Sequence, residues 1–129
     1  GRVSVGVNPG LLEILLYDLA GVSQLIPEMI KIDQMAAEKL LDRELLAQRY
    51  ALAWGIVYFL QRAELLEKNG PYAKILATYR ASWAATKNPA EASRQAFSAI
   101  ELATFQSDFC AFWRKNGRSL RPLRVVDRP

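Results

Sequence analysis

Apolar residues recur at three- and four-residue intervals along most of the chain, which is the periodicity of amphipathic helices. The first such run places four leucines on one helical face: Leu12, Leu15, Leu16 and Leu19. Asn8 and Pro9 precede it, and Asn as N-cap with Pro at the first helical position commonly starts a helix. We predict that this helix ends at Gly21 and that residues 22–32 form an irregular connection. A short helix over residues 33–41 is expected next.

The longest helical pattern runs from about residue 42 to 68 and stops at Asn69-Gly70, a pair that ends helices well. Its apolar residues occupy two faces. The first face holds Leu45, Leu52, Ile56, Phe59, Ala63 and Leu66, and the second holds Leu46, Tyr50, Trp54 and Val57. A helix that is apolar on nearly all sides is usually buried among others. We therefore predict that this is the central helix of the fold.

A further helix is predicted from Pro71 to about Lys87. Its inward stripe is expected to contain Tyr72, Ile75 or Leu76, Tyr79 and Trp83. The next helix, to about residue 99, begins at Asn88 as N-cap, with the Glu91 carboxylate expected to reach back to the cap amide. The last helix, over about 101–115, carries an apolar stripe of Leu102, Phe105, Phe109 and Phe112.

These elements predict an all-α fold, a compact bundle of five or six helices around the long central helix. The 129 residues, 51% of them hydrophobic, suit one domain, to which we assign residues 1–117. Residues 118–129 contain four arginines and two prolines and are expected to form an irregular basic tail, extended or disordered. Because the chain begins with Gly rather than Met, we expect it to be a fragment of a longer protein.

The residue counts exclude several kinds of catalytic site. The chain has no histidine and one cysteine, so it holds no Ser-His-Asp or Cys-His relay, no H-E-x-x-H zinc helix and no zinc finger. Cys110 lies mid-helix among aromatic residues and is expected to be buried. Three acidic pairs are interpreted as surface charge: Asp42 with Glu44, Glu64 with Glu67, and Glu101 with Asp108. We expect no metal and no cofactor in this chain.

The net charge of +4 belongs mostly to the tail. Four arginines against Asp127 give residues 117–129 a net charge of +3. Four arginines without interleaved aromatic residues make a modest electrostatic footprint, so nucleic acid is not expected as a partner. The longest apolar run, residues 51–60, is about half the ~20 residues that a membrane-spanning helix needs, so no membrane span is expected.

Residues 49–60, RYALAWGIVYFL, resemble a helix that follows the active site in a bacterial family of uncharacterised proteins with a gluzincin-type, peptidase-MA-like zinc metallopeptidase domain. Residues 23–116 resemble the helical C-terminal region of that family in order and spacing. The resemblance implies that the zinc ligands and the general base lie upstream of residue 1. Zinc would then belong to the parent protein, and this chain alone would not be an enzyme.

The same resemblance implies a role for Tyr50. Related single-zinc aminopeptidases place a tyrosine at the start of the corresponding helix, where its hydroxyl stabilises the oxyanion of the tetrahedral intermediate. Tyr50 is the matching position, and its catalytic role would depend on an upstream zinc site. The sequence departs from the aminopeptidase pattern after this residue, since Ala51-Leu52 replaces Lys-Gly.

Three hypotheses about function follow. In the first, the chain is a non-catalytic helical subdomain that forms one wall of the substrate cleft of a gluzincin-like peptidase, and its partner is the upstream catalytic domain. A severed subdomain of this kind is expected to form a homodimer through its exposed docking face. In the second, the chain is a free-standing helical module for protein-protein interaction. In the third, which the modest charge disfavours, the arginine tail binds anions or nucleic acid.

Overall fold

The computed structural model describes residues 3–5, 7–27, 43–119 and 123–125. Six α-helices lie in these residues: α1 (Pro9–Tyr17), α2 (Leu19–Ser23), α3 (Arg43–Leu66), α4 (Ile75–Thr86), α5 (Pro89–Ala96) and α6 (Leu102–Asn116). A 3₁₀ turn, Gly117–Ser119, follows α6. The all-α fold class and the long central helix are therefore confirmed. The helix predicted over residues 33–41 lies outside the described residues.

The first helix ends earlier than its sequence pattern indicates. α1 ends at Tyr17, and Asp18 adopts a non-helical backbone with φ −139°. The Asp18 carboxylate accepts a hydrogen bond from the Gly21 N–H at 3.2 Å, so Asp18 is the N-cap of α2. The prediction that Gly21 ends the helix is wrong, because a polar cap interrupts the helix first. Residues 22 and 23 of the connection expected over 22–32 belong to α2, and residues 28–32 lie outside the described part of the chain.

The central helix α3 is buried along part of its circumference. Four residues of its first predicted face lie in the core: Leu52, Ile56, Phe59 and Ala63. Leu66 of that face is exposed, and so are Tyr50 and Val57 of the second face. Tyr50 and Val57 are two helical turns apart and share one side of α3, which the neighbouring helices leave uncovered, whereas Leu66 is the last residue of the helix. The side chains of Leu45 and Leu46 are not among those that the structure describes.

Gly55 allows two helices to approach the middle of α3. A Cβ atom at this position would lie 2.8 Å from Leu15 Cδ2 of α1 and 3.3 Å from Phe109 Cζ of α6. Both neighbouring side chains are fully buried. The absence of a side chain at Gly55 therefore sets how closely α1 and α6 pack on the central helix.

Aromatic side chains fill the space between α3 and α6. The Phe59 ring packs against four other rings, those of Tyr72, Phe105, Phe109 and Phe112. The centroid distances run from 5.4 Å to Phe112 to 5.9 Å to Phe109, within the range of favourable tilted and edge-to-face contacts. The aromatic stripe predicted on the last helix is confirmed as core, with Phe105 and Phe109 fully buried.

α4 begins later than predicted and turns a different face inward. Residues 71–74 form turns, and the helix starts at Ile75 instead of Pro71. These turns redirect the chain after α3 and place the Tyr72 side chain in the aromatic core. Trp83 was expected to face inward but is exposed, whereas Ser82 is buried. The reason is that α5 packs closely along α4, so the side of α4 that faces α5 is the covered side.

The turn between α4 and α5 follows its sequence signals closely. Lys87 ends α4 in the left-handed conformation with φ 54°. The Asn88 side chain caps α5 by accepting the Glu91 N–H at 3.1 Å, as predicted. The predicted return contact of Glu91 is wrong, because the Asn88 N–H donates to Thr86 Oγ1. The Glu91 carboxylate instead accepts hydrogen bonds from Arg94 and Gln95, which lower its pKa.

Two segments from near the start and near the end of the sequence pair in a small ribbon. Strand β1 (Val3–Val5) pairs antiparallel with strand β2 (Leu123–Val125), and Ser4 lies opposite Arg124. β2 falls within the region expected to be an irregular tail, where the structure shows a regular strand. The sequence contained a weak signal, since both segments place a polar residue between two apolar residues. The pairing itself depends on residues at opposite ends of the sequence.

Candidate functional site

An apolar groove lies where α4 and α5 meet the middle of α3. The groove has a volume of about 310 Å³ and is lined by Ala53, Ile56, Val57, Leu60, Ile75, Leu76, Tyr79, Ser93 and Phe97. None of these lining residues is charged, and Ser93 and the Tyr79 hydroxyl provide their polar groups. Val57 is 44% exposed, so part of this apolar wall faces solvent. We call this feature the apolar groove.

Contacts between the groove walls and with the core hold the apolar groove in shape. Arg80 Nη2 of α4 lies 2.7 Å from Glu64 Oε1 of α3, an ion pair that joins two of the three helices. The Phe97 ring, at the end of α5, packs edge-on against the Phe105 ring at 5.4 Å. The groove therefore rests on the aromatic core beneath it and on a polar contact between its walls.

Tyr50, the candidate catalytic residue, lies on the uncovered side of α3. Its side chain is 62% exposed. Tyr50 precedes Ala53 by three residues and Val57 by seven, so helical geometry places it on the same side of α3 as these groove residues. Within the described residues, no three His, Cys, Asp or Glu side chains lie close enough together to hold a metal ion. The role predicted for Tyr50 concerns an upstream zinc site and stays a prediction.

A second concave surface lies at the C-terminal end of α6. It has a volume of about 580 Å³ and is lined by Leu16, Tyr17, Asp18, Leu19, Ala20, Trp113, Arg114, Lys115 and Arg118. Three cations and one carboxylate thus share this surface, which we call the basic cleft. Tyr17 projects from it with 91% of its surface exposed. The sequence contains no local signal for Tyr17, because the cations that share the cleft with it come from the other end of the chain.

The acidic residues that were paired in the sequence contact other partners in the structure. Glu64 pairs with Arg80, and Glu67 Oε1 lies 2.8 Å from Arg62 Nη1. Asp108 Oδ2 accepts a hydrogen bond of 2.5 Å from the Tyr72 hydroxyl. Burial, followed by the hydrogen bond and the charge of Asp108, raises the pKa of Tyr72 above its ordinary value. This contact ties the turn before α4 to α6. Asp42 lies outside the described residues, as does the side chain of Glu44.

Cys110 is buried, as the sequence analysis expected. Its thiol donates a hydrogen bond to Ser23 Oγ at 3.0 Å, and the Ser23 hydroxyl donates in turn to the Ala20 carbonyl at 3.0 Å. This polar contact joins α6 to α2 inside the core. Cys110 therefore serves packing and hydrogen bonding between two helices.

The fold, the apolar groove and the basic cleft at the end of α6 define a helical domain with two candidate binding surfaces. No helix in the described ranges has the length and apolar character needed to cross a membrane. No protein-family model, curated protein or solved structure matches this chain.

Proposed function

We propose that this chain is a helical docking domain, without a catalytic role of its own, that binds a helix of a protein partner in the apolar groove. The observation that carries the proposal is the partly exposed apolar wall formed by Val57 beside the buried floor residues Ile56 and Leu60. Burying apolar surface contributes about 25 cal/mol per Å², so a partner that covers this wall gains free energy from it.

The shape and chemistry of the groove favour an amphipathic helix as its occupant. Grooves between helices accept a helix whose apolar residues recur at three- and four-residue intervals. On α3 itself, the groove residues Ala53 and Val57 have this spacing, and Tyr50 continues their stripe beyond the groove. The charged residues that join the groove walls, Glu64 and Arg80, already pair with each other. The inserted face of the partner helix is therefore apolar and uncharged.

The resemblance to the gluzincin-type family supplies a specific partner. In the version of the proposal that follows this resemblance, the inserted helix belongs to the upstream zinc-peptidase domain of the same protein. This chain then forms one wall of the substrate cleft. Tyr50 would then lie at the boundary between the two domains, where an oxyanion-stabilising tyrosine has to be. In the alternative, the helix belongs to a separate protein and the chain is an interaction module. Both versions use the same groove.

Site-specific photocrosslinking in the native host tests the proposal. A photoreactive phenylalanine analogue replaces Tyr50 in the full-length protein, since this exposed position tolerates an aromatic substitution. We expect one predominant crosslinked polypeptide. Adding Val57→Asp places a charge on the groove wall and should abolish the product. The matched control is Ala77→Asp, which changes an exposed α4 residue outside the groove lining.

The identity of the product separates the hypotheses. Peptides from an upstream region of this protein would support the peptidase subdomain, and peptides from another protein would support the interaction module. Peptides from a second copy of the chain would support a homodimer. A product that survives Val57→Asp, or no product at all, would contradict docking in this groove. Circular dichroism of each variant verifies that the fold is retained.

A further inference from the structure

Within the described residues, the three cations of the basic cleft have no carboxylate partners. Arg114 and Lys115 lie in the last turn of α6, and Arg118 lies in the 3₁₀ turn that follows. None of the three forms an ion pair within the described part of the chain. By contrast, Arg62, Arg80 and Arg94 each pair with a glutamate.

The negative groups near these cations do not balance them. The cleft contains one carboxylate, Asp18, which caps α2 through the Gly21 N–H. The C-terminal end of α6 adds the equivalent of about half a negative charge. Three positive charges therefore exceed the negative charge in the cleft, and an anion bound there gains electrostatic energy.

Tertiary contacts bring an exposed aromatic ring to these cations. A Cβ atom on Gly117 would lie 2.8 Å from Leu16 Cδ2, so the end of α1 lies directly against the end of α6. Tyr17 follows Leu16 and lines the basic cleft together with Arg114 and Lys115. With 91% of its surface in solvent, the Tyr17 ring has a free face for stacking. Nucleic acid was not expected because the four tail arginines have no interleaved aromatic residues and make a modest electrostatic footprint. In the structure, Tyr17 lines one cleft with Arg118, one of those four, and with two cations of α6.

We propose that the basic cleft binds single-stranded nucleic acid, with the three cations contacting phosphates and one base stacking on Tyr17. Proteins that bind single strands without sequence preference combine a positively charged groove with aromatic rings. A single strand is favoured over a duplex because its unpaired bases are free to stack on a side chain. Residues 114–129 contain six cations and one carboxylate, so the charge of this part of the sequence favours the same ligand.

Fluorescence anisotropy with a labelled oligothymidylate of about 12 nucleotides measures the binding directly. Three phosphate contacts predict a slope of about −2 for log K against log salt. Affinity should then fall about 20-fold between about 50 and 200 mM salt. Arg114→Glu combined with Arg118→Glu should abolish binding. The control, Lys68→Glu combined with Lys74→Glu, makes the same change in net charge at exposed positions outside the cleft and should bind nearly as well as the wild type.

The aromatic contact is tested separately. Tyr17→Ala should weaken binding about tenfold, whereas Tyr17→Phe should retain it, because stacking needs the ring and not the hydroxyl. Equal weakening by the two charge-reversal pairs would overturn the proposal, since net charge alone would then explain binding. An unchanged affinity for Tyr17→Ala would overturn it as well. A labelled polyglutamate peptide that binds as tightly as the oligonucleotide would show that the cleft accepts acidic peptides instead. If the double charge reversal unfolds the protein, Arg118→Glu alone, outside α6, gives the corresponding comparison.

Discussion

Replacing Gly55 with alanine tests how closely α1 and α6 approach the central helix. The new methyl group would lie 2.8 Å from Leu15 Cδ2 and 3.3 Å from Phe109 Cζ. The first distance is well below an ordinary carbon-carbon contact of about 3.5–4.0 Å. Since Leu15 and Phe109 are fully buried, neither side chain has solvent to move into. The strain has to be relieved by shifting α1 away from α3.

Two opposing contributions determine how much Gly55→Ala changes the free energy of unfolding. Alanine is favoured over glycine inside a helix by about 0.8–1 kcal/mol. Overpacking a filled core costs about 1–3 kcal/mol. We therefore expect Gly55→Ala to lower the free energy of unfolding by about 1 kcal/mol, which corresponds to about 4 °C in melting temperature for a domain of this size.

Gly117→Ala is the matched control. A methyl group there would also lie 2.8 Å from a leucine, Leu16 Cδ2, but Leu16 is only half-buried and lines the open basic cleft. Its side chain has room to rotate. Gly117 also has an ordinary helical backbone with φ −55°, so alanine brings no backbone strain. We expect this variant to remain within about 0.5 kcal/mol of the wild type.

Urea unfolding followed by circular dichroism measures both variants, with unchanged m-values as the criterion for comparing them. Combining Gly55→Ala with Leu15→Val, which removes the clashing Cδ2 atom, should cost less than the sum of the two single changes. If Gly55→Ala were as stable as the wild type, the close approach of α1 to α3 would be refuted. A double variant whose loss of stability equals the sum of the two single losses would refute it as well.

Three other predictions concern stability. The free energy of unfolding should fall as the pH rises above the ordinary tyrosine pKa of about 10, because the pKa of Tyr72 is raised in the folded state. Tyr72→Phe should reduce this alkaline dependence. The same variant should cost about 1 kcal/mol at neutral pH, since it removes the hydrogen bond to Asp108. Urea titrations at a series of pH values measure it, and an identical pH profile for both proteins would contradict it. Ser82→Ala should raise the free energy of unfolding by about 0.5 kcal/mol, since Ser82 Oγ is buried without a hydrogen-bond partner in the described structure. A clear loss of stability of this variant in calorimetry would contradict the prediction and indicate that the hydroxyl has a partner. Asn88→Ala should cost about 1 kcal/mol by removing the α5 cap, whereas Asn88→Asp should cost little, and equal thermal stability of both variants would argue against the cap.

Local residue patterns were enough to predict most helices. The apolar periodicity placed α3 and α6 within a few residues of their observed ends, and the Asn88-Pro89 start of α5 is confirmed in the structure. These features depend on residues within one or two helical turns of each other. The errors arose where a longer-range contact overrides the local pattern. Pro71 does not start α4 because the Tyr72 side chain enters the aromatic core first.

The candidate site was predictable to a smaller extent. The sequence identified Tyr50 through a family resemblance and described Val57 as part of an apolar face, but it did not show that this face is partly open. Which side of α3 stays uncovered depends on where α4 and α5 pack, and periodicity within α3 contains no information about that.

The sequence by itself determined that this protein is helical, where its central helix lies, and that histidine-based chemistry is absent from the chain. The tertiary structure alone decided that an apolar groove remains open beside α3 and that Tyr17 stands next to Arg114 and Arg118. The physical reason is distance along the chain. Helices are set by hydrogen bonds and side-chain spacing over a few residues, whereas both surfaces arise from packing between segments far apart in the sequence, as where Leu16 of α1 lies beside Gly117 at the end of α6.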